Sequence, residues 1–145
     1  MEEVHYYQTS VTWKQDRIGQ IDAPVMPPVE VATPPEFPKG VPNIWSPEHL
    51  FVASANVCLM TTFLSIAENS KFEFISYNSN ATGKLEKVDR AFMISEITLE
   101  PEILVDSQDK VEKAERLIHK SEQHCLISNS MKTKINLNPK IIVKG

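Results

Sequence analysis

Ser46-Pro47-Glu48-His49-Leu50-Phe51-Val52-Ala53-Ser54-Ala55-Asn56-Val57-Cys58 opens a stretch that carries no charge from Leu50 to Ala67, and the fold turns on how it is read. Ser46 suits an N-cap, Pro47 the first helical position, and Glu48 the positive end of a helix dipole. The helix is expected to run to about Asn69. Its apolar residues, among them Leu50, Phe51, Val57, Leu59, Met60, Phe63, Leu64 and Ile66, lie on every side, and a helix apolar all round is buried all round. About 18 uncharged residues is the lower limit for crossing a bilayer, and Ser54, Asn56, Thr61, Thr62 and Ser65 interrupt the run. It reads as a core helix. A domain of this size has difficulty enclosing so long a helix, so either a sheet wraps it or a second subunit covers its remaining side.

Upstream, residues 1–22 read as a hairpin. Tyr6, Tyr7, Thr9, Val11 and Trp13 form one β-prone run, Lys14-Gln15-Asp16-Arg17 breaks it, and Ile18-Gly19-Gln20-Ile21 resumes. Residues 23–46 form a belt: eight of the ten prolines fall between Pro24 and Pro47, which excludes a helix and removes ladder donors. Val29, Val31, Phe37, Ile44 and Trp45 are expected to pin it down. Downstream, strands are expected over 72–85 and 91–104, with Gly83 a candidate bulge. Ser107 caps a second helix with the stripe Val111, Ala114, Leu117, Ile118, Ser121 and Cys125. The chain closes with strands over 131–137 and 140–143, split by Asn138-Pro139. Strands in runs rather than alternating with helices predict an α+β fold with a largely antiparallel sheet wrapping a long buried helix.

One domain spanning residues 1–145 accounts for the length, with residues 47–145 carrying both helices. Fifteen Lys+Arg against 19 Asp+Glu, without a basic run, argue against nucleic acid as a partner and against attraction to a membrane surface. Met1-Glu2-Glu3-Val4-His5 is neither the basic nor the apolar part of a signal peptide, so a cytoplasmic protein is expected. In a reducing compartment two cysteines 67 positions apart are more often catalytic, sensing or inert than a permanent staple. His5, His49, His119 and His124 do not reproduce a zinc spacing, and the four glycines form no phosphate loop, so neither metal nor cofactor is expected.

Cys58 and Cys125 are therefore where chemistry is sought. A cysteine in an apolar helix is, taken alone, most often an inert small hydrophobe. To react, Cys58 must ionise, and from mid-helix it cannot use its own helix N-terminus to do so; a cation such as Arg17 or Arg90 is required. Trp45-Ser46-Pro47-Glu48-His49-Leu50-Phe51, Ala53-Ser54-Ala55-Asn56-Val57-Cys58 and His124-Cys125-Leu126-Ile127-Ser128 together resemble the superfamily of osmotically inducible protein C (OsmC) and the organic hydroperoxide resistance (Ohr) proteins. The family carries a Pro-Glu helix start, a Cys ten residues after that Glu, and a second Cys followed by x-x-Ser. The belt Ala32-Thr33-Pro34-Pro35-Glu36-Phe37, and Leu126 where Pro commonly follows the second Cys, bring the chain closer to a less characterised OsmC-like branch.

The resemblance implies a thiol-dependent peroxidase on an intertwined homodimer, with sites at the subunit interface. It assigns Cys58 as the peroxide-attacking cysteine, Cys125 as the resolving cysteine that forms a disulfide with it, Glu48 as the helix-start carboxylate and Arg17 as the arginine. It also implies an organic hydroperoxide as substrate and an external thiol or dithiol as reductant. An alternative is a dimer of the same fold that binds a small apolar ligand without turnover or senses redox state through the same thiols. Glu48 and Cys58 lie about 15 Å apart along one helix axis. If Glu48 orients an arginine beside a cysteine, a symmetry-related helix is the simplest source of that cysteine.

Overall fold

The computed structural model describes residues 3–145; Met1 and Glu2, which open the N-terminal reading above, lie outside the described residues. The chain divides into two compact units, one ending at Leu50 and one running from Phe51 to Gly145.

The first unit holds an antiparallel sheet in the order β1 (Ser10–Gln15), β2 (Ile18–Asp22), β3 (Val29–Ala32). The expected hairpin is present but begins at Ser10, leaving Val4–Thr9 outside any strand. Its turn is Asp16-Arg17, with Asp16 at φ 48° and its carbonyl accepting the Trp13 indole N–H at 3.0 Å. β3 lies within the proline belt. Val29 to Thr33 is the longest proline-free run there, and Val29 and Val31 favour extended backbone, so the segment pairs with β2 until Pro34 ends it.

Beyond β3 the belt coils tightly. Phe37 N–H donates to Pro34 O at 3.1 Å, Gly40 N–H to Phe37 O at 2.9 Å and Val41 N–H to Thr33 O at 2.9 Å. A Cβ on Gly40 would stand 2.0 Å from the Pro34 carbonyl oxygen, so no other residue fits that approach. Ala32 N–H then donates to Trp45 O at 2.9 Å, which returns the chain beside β3 and delivers it to Ser46.

Helix α1 (Pro47–Asn69) starts where the sequence places it. Ser46 is fully buried and caps reciprocally with His49. His49 N–H donates to Ser46 Oγ at 3.1 Å, while Ser46 N–H at 3.2 Å and Ser46 Oγ–H at 2.7 Å both reach His49 Nδ1. This is a capping box with histidine in the place usually held by Glu or Gln.

In the second unit α1 buries Ala55, Cys58, Leu59, Phe63 and Ala67 and exposes Phe51, Val57, Met60 and Leu64. The expectation of burial on all sides is thus met on one face only within a single chain. By length and composition α1 is also the one helix among the described residues able to span a membrane.

β4 (Ser76–Val88) and β5 (Ala91–Val105) form a long hairpin closed by Asp89-Arg90, both at positive φ (50° and 72°), as a two-residue type I′ turn requires. The register slips between Lys84 and Leu85, next to Gly83, where a Cβ would meet Val52 Cγ2 at 2.5 Å. After Ser107 come a 3-10 turn (Gln108–Lys110), α2 (Val111–Gln123) and a one-turn helix α3 (Leu126–Asn129) that the sequence reading did not contain.

The crossover through α2 and α3 makes β6 (Lys134–Leu137) and β7 (Lys140–Val143) parallel to β5. The second sheet is therefore mixed, though its long β4–β5 pairing, like the whole of the first sheet, is antiparallel, in keeping with the expected α+β fold. Pro101 falls between the β5 residues paired with β6 and those paired with β7, where its missing N–H interrupts neither. Leu59, Phe63, Ile97, Leu99, Ile103, Val105, Leu117 and Ile118 form the core, with Phe63 stacked on Tyr77 at 5.4 Å and tilted against Phe74 at 5.2 Å.

Candidate functional site

Cys58 sits on the buried face of α1 and Cys125 at the N-cap of α3, and both are buried free thiols. The start of α3 brings Cys125 close enough to Cys58 of α1 for each to act on the other's ionisation, 67 positions apart in sequence. Thr62, one turn after Cys58 on the same face, places its hydroxyl 3.8 Å from Cys58 Sγ. The backbone N–H groups of Leu126 and Ile127, in the first turn of α3, lie near enough to that sulfur to favour its ionisation.

These contacts decide which thiol ionises. Burial pushes the Cys58 thiol up, but donors from Cys125, Ile127, Thr62 and Leu126 together hold it below its ordinary value. Burial pushes Cys125 up as well, and donation of its S–H to Cys58 pushes it further, against smaller opposing contributions from the Ser128 hydroxyl and N–H. Of the two, Cys58 is therefore the thiol favoured to ionise and Cys125 the one favoured to keep its proton. The sequence reading required a cation for this. The fold supplies, in addition, the exposed amides of a helix other than the one carrying Cys58.

Removing the Cys125 donor exposes its contribution. Cys125→Ala is expected to raise the Cys58 pKa and slow alkylation of Cys58 by iodoacetamide at neutral pH by about an order of magnitude, the scale of one hydrogen bond to a charged group. Cys125→Ser keeps an O–H donor and should slow it less. Superimposable pH–alkylation profiles for wild type and Cys125→Ala would show that the donor contributes nothing.

Behind the pair lies a second polar layer that sequence reasoning missed. Tyr77 and Ser79 share a face of β4, and the Asn56 side-chain amide of α1 donates to Ser79 O at 3.0 Å. Glu122 lies in the last turn of α2 and Ser128 in α3. Buried atoms of these residues, Asn56 Oδ1, Tyr77 Oη, Ser79 Oγ, Glu122 Oε2 and Ser128 Oγ, close no hydrogen bond of ordinary geometry. Burial pushes the Tyr77 phenol up to about 12, opposed by the Ser79 hydroxyl, with neighbouring Glu122 and Cys125 adding to the rise. Burial likewise raises the Glu122 carboxyl, opposed by the Ser128 hydroxyl. The available signal was the spacing 122, 125, 128, a step of three repeated across Cys125.

The remaining expected site residues both fall in the first unit. Arg17 is exposed in the β1–β2 turn, and Glu48 is half-buried in the first turn of α1 with its Oε1 buried and unpartnered. Neither enters an ion pair among the described residues. A pocket of about 400 Å³ in the second unit is lined by Phe51, Met93, Ile94 and residues 130–133 and includes neither cysteine. No cluster of three His, Cys, Asp or Glu able to hold a metal occurs among the described residues.

The sequence profile of OsmC-like proteins matches residues 40–140. The chain belongs to the OsmC-like protein family. Its relatives are distant in sequence but close in fold. The uncharacterised protein YmaD of Bacillus subtilis (strain 168) is 23% identical over 145 residues, 97% of this chain and 95% of that protein. An OsmC-like protein of unknown function from Vibrio cholerae shares the fold with a TM-score of 0.85 at 24% identity, over 94% of this chain and 99% of that one. An organic hydroperoxide resistance protein from Elizabethkingia anophelis does so with a TM-score of 0.78 at 21% identity, over 99% and 100%. The OsmC-like match covers both cysteines and Glu48 and leaves out Arg17.

Proposed function

We propose that this OsmC-like protein is a thiol peroxidase that reduces organic hydroperoxides in the cytoplasm as a homodimer. The observation that carries the reading is the buried pair of free thiols, Cys58 held below and Cys125 pushed above the ordinary cysteine value. The Cys58 thiolate attacks the O–O bond of ROOH, leaving Cys58–SOH and an alkoxide that takes up a proton to become ROH. Cys125 then condenses with the sulfenic acid, releasing water and forming a disulfide that spares Cys58 from over-oxidation. An external thiol or dithiol restores both thiols by exchange.

Arg17 is the proposed cation beside the reacting peroxide and Glu48 the residue that orients it. The buried, unpartnered Glu48 Oε1 supports a donor arriving from a second subunit, since no ion pair engages it among the described residues. Stopped-flow titration of the reduced protein with cumene, fatty-acid and hydrogen peroxides, with thiols counted before and after, tests the reading. Loss of two thiols per peroxide is expected, faster with the organic substrates. Thiols that survive a peroxide excess would overturn it, and thiol loss without turnover on added dithiol would favour a redox sensor built on the same pair.

A further inference from the structure

We infer that Glu122, acting through the Ser128 hydroxyl, is the proton acceptor that frees Cys125 to close the disulfide. The place of this step in a catalytic cycle rests on the peroxidase reading; the step itself is a property of the three side chains.

Glu122, Cys125 and Ser128 follow one another at steps of three, from the last turn of α2 through the N-cap of α3 to its third residue. Ser128 is buried, and its hydroxyl lies near enough to the Cys125 thiol and the Glu122 carboxyl to act on the ionisation of both without closing a strict hydrogen bond to either. Glu122 Oε2 is likewise buried and unpartnered. Leaving a buried hydroxyl or carboxylate oxygen unpaired is destabilising, and an apolar pair at 122 and 128 would avoid that cost. A fold that carries both beside a reactive thiol has the parts of a proton path.

The need for such a path arises after the first chemical step. In the reduced protein Cys125 is the thiol favoured to keep its proton, and Cys58 beside it is the one favoured to ionise and accept from it. Once Cys58 carries oxygen, that acceptor is gone, and Cys125 must lose its proton before it can attack the Cys58 sulfur. Its surroundings resist ionisation. The titratable groups facing it are Cys58 from α1, Tyr77 from β4 and Glu122 from α2, with Ser128 the neighbour from α3. Tyr77 is neutral at physiological pH and Cys58 is now the electrophile, which leaves Glu122 as the base.

Ser128 accepts the Cys125 proton as it passes its own to Glu122. The Cys125 thiolate then bonds to Cys58 Sγ, the S–O bond breaks, and the departing hydroxide takes the proton stored on Glu122. The sum is Cys58–SOH plus Cys125–SH giving the disulfide and water, with no further reactant. Because burial raises the Glu122 carboxyl, the base is lost as pH falls through a value above the usual glutamate range.

The test isolates the Cys125 step without using peroxide. In the full-length reduced protein, 4,4′-dithiodipyridine converts Cys58 to a mixed disulfide with release of one thiopyridone. Attack by Cys125 on that mixed disulfide releases the second and leaves the Cys58–Cys125 disulfide. Glu122→Gln is expected to leave the first release within about twofold of wild type and to slow the second by about 100-fold, the lower end of what a positioned base contributes. It should also abolish the acid limb of the pH profile of the second release. Ser128→Ala should slow the same phase, and Glu122→Asp should restore part of the rate and the acid limb.

With an organic hydroperoxide, dimedone-trapped Cys58 sulfenic acid should accumulate in Glu122→Gln. An unchanged rate and pH profile for the second release in Glu122→Gln overturns the inference; if that variant does not fold, the same result in Ser128→Ala does so. If peroxide fails to oxidise wild-type Cys58 while the two releases behave as described, the peroxidase reading falls and the role of Glu122 stands.

Discussion

Cys58→Ser is expected to abolish hydroperoxide consumption, lowering it by at least about a thousandfold, because an aliphatic hydroxyl in the same place neither ionises near neutral pH nor attacks peroxide oxygen as a thiolate does. The donors around position 58 cannot compensate. Thr62, the Cys125 thiol and the α3 amides favour ionisation of a thiol and hold its pKa below the ordinary cysteine value, whereas a serine hydroxyl starts far above their reach. Cys125→Ser separates the roles: one equivalent of peroxide is consumed, and the Cys58 sulfenic acid then persists and over-oxidises with excess peroxide. Mass spectrometry of the two variants after one and ten equivalents of peroxide reads both outcomes. Equal residual turnover in the two would remove the distinction between attacking and resolving cysteines. Arg17→Ala should slow attack and move the pH–rate profile upward without loss of fold, since Arg17 is an exposed turn residue without an ion pair among the described residues.

How far the site was legible in the sequence follows from how local its parts are. The start of α1 was readable because Ser46, Pro47 and Glu48 each act within one turn; only the role of His49 as the reciprocal cap needed coordinates. The pairing of Cys58 with Cys125 came from the resemblance, and no spacing rule would have supplied it.

What remained hidden depends on tertiary placement. A four-residue helix such as α3 leaves no periodic signal, yet its amides help set which cysteine ionises. β3 was masked by the prolines on either side of it, although those prolines mark its ends. The parallel pairing of β6 and β7 with β5 was not readable from their composition, because strand direction is decided by the route of the chain through α2 and α3. Glu122 and Ser128 looked like ordinary polar positions at a helix end until the structure buried them.

The second large effect concerns assembly. Val57, Met60 and Leu64 form a stripe on the face of α1 opposite its buried residues, and Val57 and Leu64 are 54% and 42% exposed in the single chain. Phe51 continues the apolar surface toward the start of the helix. Soluble monomers rarely leave contiguous apolar patches larger than a few hundred Å², and an interface that also completes the site belongs to the obligate class, above about 2,000 Å². In an isolated chain, Val57→Glu with Leu64→Glu would be a surface change worth about 0.5 kcal/mol or less per site. In a twofold dimer each substitution occurs twice, and every unpaired buried charge costs about 3–5 kcal/mol. The double variant is therefore expected to sediment as a monomer at low micromolar concentration, to keep its far-ultraviolet circular dichroism, and to lose at least tenfold in hydroperoxide turnover, while the wild type sediments as a dimer. A wild type that is monomeric and fully active at that concentration would remove both the packing argument and the need for a second subunit to bring a donor to Glu48.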